Sequence, residues 1–380
     1  MQRRECFRNL IGLLAGSPLL AQQLDDVNGP INIHEFEEAA KRKLHKFAFD
    51  FIAGGTEDEH TLRSNREAFS RVALTPRFMT DVSDVSTEVE LLGMNLKTPI
   101  IIAPTGGKNL VIPSADEIVA KAALATGTPI CSAVGVQKLL ADGEPLQWWS
   151  NTIGHRTKDQ AQSFAKRTAD IGGRGIVVTI DNSYQSNRDR NNRNRFDYGY
   201  MNLDVPKEGE VRKPVNPARP AMWQPHTPSM TWQYVEWLKS GAKIPVLIKG
   251  VLHPEDGAAA VKYGADAVVV SNHGGRQLDG AMASLDALPD VADAVGGKIP
   301  VLMDGGIRRG GDVVKALALG AKAVLVGRAP LWGLGAFGQP GVERVLQLLT
   351  DETKLAIALS GKRRPAEIDR TIVKRMNVWH

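Results

Sequence analysis

The chain has 380 residues, 43% of them hydrophobic and 23% charged. This is the composition of an ordinary soluble protein, long enough to bury a large core without disulfide staples. A net charge of +5, with no basic stripe carrying interleaved aromatics, argues against nucleic acid as a partner and leaves a weak preference for acidic ligands. The two cysteines, Cys6 and Cys131, predict no internal disulfide once the N-terminus is removed.

Removal is expected because Arg3-Arg4 precede a short apolar run at 10–20 and then Ala21-Gln22-Gln23. That order is the pattern of a Tat-type export signal over residues 1–23 and points to the periplasm. The run is too short to span a bilayer. Leu19 is large for its place before the cut and Cys6 interrupts the motif, so an amphipathic N-terminal helix is the competing reading. Residues 31–69 read as a helical cap. Asn32 is a candidate N-cap, and Phe47 to Ala53 run into Gly54-Gly55, which end a helix.

From Pro99 the chain becomes periodic. β-like runs recur at 99–104, 129–132, 147–149, 176–181, 245–249, 267–270, 300–304 and 323–327. They are continuously apolar, as strands covered on both faces must be. Helical stretches lie between them, at 159–169, 254–263 and 312–319 among others, and Gly264 and Gly320 stop two of these just before a strand. Eight strand–helix units predict an α/β fold, a (β/α)8 TIM barrel with an N-terminal helical cap, over residues 28–380. An open doubly wound sheet is disfavoured because no glycine-rich dinucleotide fingerprint follows the first strand. Residues 182–229 break the rhythm: long, rich in Pro and Arg, they read as a loop over the barrel mouth after the fourth strand.

Active sites of such barrels lie at the C-terminal strand ends. Here the fourth strand ends in Thr179-Ile180-Asp181 and the fifth in Lys249-Gly250. The sixth ends in Ser271-Asn272-His273, the seventh in Asp304-Gly305-Gly306-Ile307-Arg308 and the eighth in Gly327-Arg328. Buried polar ends are costly unless paired or used. Glycine N–H groups and arginines after the last two strands predict a phosphorylated ligand. Ser271 to Gly280 places a histidine and an arginine three residues apart, separated by two glycines that permit close approach to a flat ligand.

Ser271-Asn272-His273-Gly274-Gly275-Arg276-Gln277-Leu278-Asp279 resembles the signature of the FMN-dependent α-hydroxy acid oxidase/dehydrogenase family, which includes glycolate oxidase and the flavin lactate dehydrogenases. The resemblance extends to Ala103-Pro104-Thr105, Leu247-Ile248-Lys249-Gly250 and Asp304 to Gly310, and runs from about Asn28 to the C-terminus. It implies FMN as cofactor and oxidation of a 2-hydroxy acid to the 2-oxo acid. It implies His273 as the base, Asp181 behind its imidazole, and Arg276 and Arg188 gripping a carboxylate. Lys249 is implied beside the flavin N1/C2 carbonyl, with Thr105, Ser132, Thr179 and Ser271 as cofactor contacts. Asp304 is implied at the ribityl chain, and Gly306, Arg308, Gly327 and Arg328 at the phosphate. It also implies a homo-oligomer, a tetramer or larger, with oxygen, a quinone or a cytochrome as electron acceptor. No metal is expected: Glu57-Asp58-Glu59-His60 are adjacent residues that do not converge on one ion and read as a solvated turn.

The departures are specific. Phe51 stands where the family usually has a tyrosine whose hydroxyl meets the substrate carboxylate. Ser150-Asn151-Thr152 is the match to a Gln-x-Tyr pair, a tryptophan expected near Ala133 is missing, and Gly106 replaces an alanine over the flavin. These losses predict a different or larger substrate. The alternative is a flavin-binding protein of the same fold whose catalysis is lost or redirected.

Overall fold

The structure, a computed structural model, describes residues 25–132, 146–194 and 226–376, with Val136, Leu139 and Gly143 besides. The expected signal at 1–23, the region of Ala133 and most of the long loop lie outside the described residues.

Three helices form the predicted cap: α1 (Ile33–Lys43), α2 (Lys46–Ala53) and α3 (His60–Ser70). Asn32 caps α1 as predicted, its side chain accepting from Glu35 N at 3.1 Å while the Glu35 carboxylate accepts from Ile31 N. Ile33, Phe36, Ala39 and Ala40 make the buried face of α1. Next come β1 (Val72–Leu74) and a hairpin of β2 (Val89–Leu91) and β3 (Met94–Leu96). The hairpin turns at Leu92 and Gly93, both at positive φ. Its buried side chains join the cluster that fills the barrel, and Gln147 at the foot of a barrel strand reaches Asn95 O, so the hairpin plugs the N-terminal end.

The barrel follows. Its described elements run β4 (Ile100–Ile102), α4 (Ala115–Thr126), β5 (Ile130–Ser132), β6 (Trp148–Thr152) and α5 (Lys158–Asp170). Then come β7 (Ile176–Thr179), the short α6 (Asp189–Arg193), α7 (Gln233–Gly241), β8 (Val246–Val251) and α8 (Pro254–Lys262). The circuit ends with β9 (Ala267–Val270), α9 (Ser284–Val295), β10 (Val301–Asp304), α10 (Gly310–Ala318), β11 (Ala323–Val326) and α11 (Arg328–Leu359). Strands β4 to β11 form one closed barrel whose pairs are all parallel, β11 returning to β4. The eight expected strands are therefore all present. A last strand, β12 (Val373–Arg375), pairs with β1 and ties the C-terminal end of the described chain to the segment that follows the cap.

Side chains alternate across each strand. Ile101, Cys131, Trp149, Val177, Leu247, Val269, Leu302 and Leu325 fill the interior. Ile102, Ile130, Trp148, Val178, Ile248, Val268, Met303 and Val324 pack beneath the helices. This register decides which polar residues look into the mouth.

Candidate active site

Counting by twos from the interior residues carries Thr105, Asn151, Thr179, Asp181, Lys249, Ser271, Asp304 and Gly327 to the mouth side. Lys249 is 3% exposed, and its Nζ lies 3.0 Å from Asp304 Oδ2 and 2.9 Å from Ser271 Oγ. Burial works against its charge, but Asp304 and then Asp181 outweigh it, so the ammonium is held charged with its pKa above the ordinary lysine range.

Ser271 Oγ also accepts from His273 N at 3.0 Å. His273 is at φ 59, a left-handed conformation that costs a non-glycine residue about 1–3 kcal/mol. The turn aims its imidazole across the mouth at Asp181, Nδ1 lying 2.8 Å from Oδ1. A carboxylate partner assigns the proton to Nδ1 and leaves Nε2 as the acceptor. Desolvation holds the imidazole's pKa below the ordinary value, Lys249 and Arg188 adding to the effect and Asp181 opposing it. Burial opposes ionisation of Asp181, yet His273 and Lys249 keep its carboxyl below the usual carboxylate range. Gly250, at φ 114, makes the approach possible, since a Cβ there would meet Asp181 Cβ at 2.9 Å.

The motif glycines also permit close packing within the protein. A Cβ on Gly275 would lie 2.5 Å from Leu62 N, and one on Gly274 would lie 2.8 Å from Arg328 Nη1. They admit α3 and an arginine of the protein itself. Gly306 is similar, with Asn65 O only 2.1 Å from its would-be Cβ.

Arg276 Nη1 donates to Phe51 O and Gly54 O, both at 2.8 Å, and its guanidinium lies 5.1 Å from the Phe51 ring centroid. The arginine and the residue in the tyrosine's place are thus neighbours. Arg188 is buried at the start of α6, beside the motif, its Nε 3.2 Å from Arg276 O. Arg328 donates from Nε to Ile52 O at 2.9 Å, from Nη1 to Gly274 O at 2.9 Å and from Nη2 to Gly54 O at 3.0 Å. Its guanidinium therefore fastens the motif to the end of α2. Burial and the neighbouring Arg308 depress its pKa to about 9. Arg308 itself donates to Ile307 O, and burial lowers its pKa too.

One expectation on the mouth changes. On β5, Cys131 packs inside the barrel and Ser132 beside it is buried. On β6 the side-chain alternation places Asn151, not Ser150 or Thr152, in the mouth. Asn151 exchanges hydrogen bonds with Thr179 Oγ1 at 3.0 and 3.3 Å. The Gln-x-Tyr pair thus corresponds to Asn151 and Ile153: a carboxamide is kept and a phenol is lost. Trp149, read as an interior residue, could have set this register from the sequence. Two further features were missed. Asn65 and Asn272 pair their buried side-chain amides, 2.8 Å in both directions. Asp279 caps α3 by accepting from Thr61 N at 2.8 Å and His60 N at 3.1 Å. Nor is the acidic turn at 57–60 merely solvated: Glu59 accepts from Arg190 Nη2 at 2.6 Å and Gly55 N at 2.9 Å. Among the described residues no cluster suited to a metal ion occurs.

The mouth suits a polar, anionic cofactor. Thr105 Oγ1 and Asp304 Oδ1 are buried without a hydrogen-bond partner, as groups awaiting a ligand would be. The mutually repelling Arg308 and Arg328 lie at the phosphate-binding position of the fold. These are fitting partners for a flavin's carbonyl and ribityl groups and for its phosphate.

Residues 40–375 match the model of the family described as FMN-dependent dehydrogenase. The chain is 40% identical over 357 residues to the L-lactate oxidase of Nostoc sp., covering 90% of this chain and 98% of that protein. It is 39% identical to the human 2-hydroxyacid oxidase 2, covering 90% and 97%. The crystal structure of mandelate oxidase with (S)-4-hydroxymandelic acid superposes with a TM-score of 0.83 at 37% identity, covering 92% and 100%.

Proposed function

Because the chain belongs to the FMN-dependent dehydrogenase family, we propose a specific division of labour for its residues in oxidising a 2-hydroxy acid to the 2-oxo acid. The chain is an FMN-dependent oxidoreductase acting on the CH–OH group. Becoming a 2-oxo acid costs the substrate two electrons and two protons. FMN supplies the acceptor for both electrons and one proton. His273 takes the other proton at Nε2, the nitrogen left as acceptor by the bond to Asp181. Asp181 stabilises the imidazolium that results. Arg276 and Arg188 bind the carboxylate and orient the α-carbon toward His273. Lys249 provides positive charge where the cofactor becomes more negative, and Asp304 holds Lys249 in place. Thr105, Asn151, Thr179 and Ser271 would meet the flavin ring; Asp304 would hold the ribityl chain. Gly306, Arg308, Gly327 and Arg328 would hold the phosphate.

The 2.8 Å contact of His273 with Asp181 carries this reading. Its test is anaerobic bleaching of the yellow flavin by a panel of 2-hydroxy acids. Bleaching by at least one supports it; bleaching by none supports the flavin-binding protein without this catalysis. Phe51 and Ile153 in place of phenols favour a substrate with a larger apolar group over glycolate. Two lost phenol bonds would weaken a small hydroxy acid by about 1–3 kcal/mol each if its carboxylate went unsatisfied.

Oxygen is the proposed acceptor, with a quinone or cytochrome as the alternatives; reoxidation of the reduced flavin in air decides. We propose a tetramer or larger assembly, tested by light scattering. The Arg3-Arg4 pair supports Tat export to the periplasm. Arg3→Lys combined with Arg4→Lys should retain the protein in the cytoplasm, and unchanged export would refute that route.

A further inference from the structure

Arg188 comes from the loop after β7, and Arg276 from the turn after β9, so nothing in either strand sets their spacing. The Arg188 side chain is buried, and its backbone at φ −113 and ψ 101 is extended at the start of α6. A buried guanidinium must have its donors satisfied, and those partners fix its plane. Ser186 Oγ accepts from Arg188 Nε at 2.9 Å and donates to Arg276 O at 2.6 Å. A hydroxyl has one proton and two lone pairs, so it can make both bonds at once. Arg188 Nε also reaches the same carbonyl at 3.2 Å. One edge of the Arg188 guanidinium is therefore committed to the Arg276 backbone, through the Ser186 hydroxyl and by a longer direct contact.

We propose that Ser186 is a positioning residue for the substrate carboxylate, setting Arg188 against Arg276. The inference rests on the reading of the two arginines as the carboxylate grip. The loop does not depend on Ser186 for its place. Gln277 Nε2 donates to Asp181 O at 2.8 Å and to Asn182 Oδ1 at 2.7 Å, and Thr56 Oγ1 donates to Asn187 O at 2.8 Å. Ser186 is the side chain in this set that bears on Arg188 itself.

The test uses FMN-loaded enzyme and oxalate, a dicarboxylate with no α-hydrogen to lose, titrated through its perturbation of the flavin absorbance. Ser186→Ala should raise the oxalate Kd and the substrate KM about tenfold, the usual scale for one hydrogen bond to a charged group. kcat and FMN affinity should stay within about threefold of wild type. Ser186→Thr should restore oxalate binding, and the methyl ester of the same hydroxy acid should respond equally to both proteins. An unchanged oxalate Kd in Ser186→Ala overturns the proposal. So does a parallel loss of FMN, which would make the role structural. If the wild type itself neither binds oxalate nor is reduced by any 2-hydroxy acid, the reading of the arginines fails first.

Discussion

The two sides of the barrel mouth are built differently. On the side of β8 to β11, polar groups are paired before any ligand arrives: Lys249 with Asp304 and Ser271, Asn272 with Asn65, His273 with Asp181. On the side of α2 and β6, phenols expected from the family are replaced by Phe51 and Ile153, and Asn151 keeps a single carboxamide. The first side holds the groups that move protons and hold charge, and they must be pre-set in a region of low dielectric. The second side carries the residues that stand where the family's phenols are expected, and Phe51 there lies 5.1 Å from the Arg276 guanidinium. One wall is thus pre-set for chemistry and the other departs from the family.

The largest break should come from the first wall. His273→Gln should slow flavin reduction by about 10²–10⁴-fold while FMN remains bound, which anaerobic stopped-flow would show. Retained turnover would move the base to another residue. Lys249→Met should come next, leaving Asp304 buried and unpaired. That costs about 3–5 kcal/mol in urea unfolding and should make the flavin harder to reduce. An unchanged midpoint potential would remove Lys249 from its charge role.

Asp181→Asn tests direction as well as size. The imidazole must be unprotonated to act, and its pKa lies below the ordinary 6.5, so activity should persist into mildly acidic solution and fall below that value. Asp181 is the group that raises that pKa. Its neutralisation should move the acid limb of kcat/KM to still lower pH and lower the plateau. A limb moving upward would contradict this electrostatic account. The smallest effect belongs to the second wall. Phe51→Tyr, alone or with Ile153→Tyr, should lower KM for glycolate by roughly 1 kcal/mol per phenol while leaving the substrate-independent flavin potential alone. No change in KM would place substrate choice elsewhere.

Much of the first wall was legible in the chain. The strand runs are continuous, and the motif carries His273 and Arg276 three residues apart. The second wall was less so, because a strand's inward face shifts with a one-residue slip. Ser150-Asn151-Thr152 could be matched to Gln-x-Tyr in the wrong register until Trp149 was seen inside the barrel.

The sequence by itself determined the α/β barrel, the order of its strand ends and the family, because apolar periodicity and contiguous motifs are local properties. Only the tertiary structure decided what the motif's glycines admit and that Arg328 binds three backbone carbonyls. It also decided that His273 is turned to Asp181 through a left-handed backbone. Those contacts join residues far apart in the chain, His273 and Asp181 by 92 positions and Arg328 and Ile52 by 276. No local pattern records a pairing that exists only once the barrel has closed and brought its loops to one end.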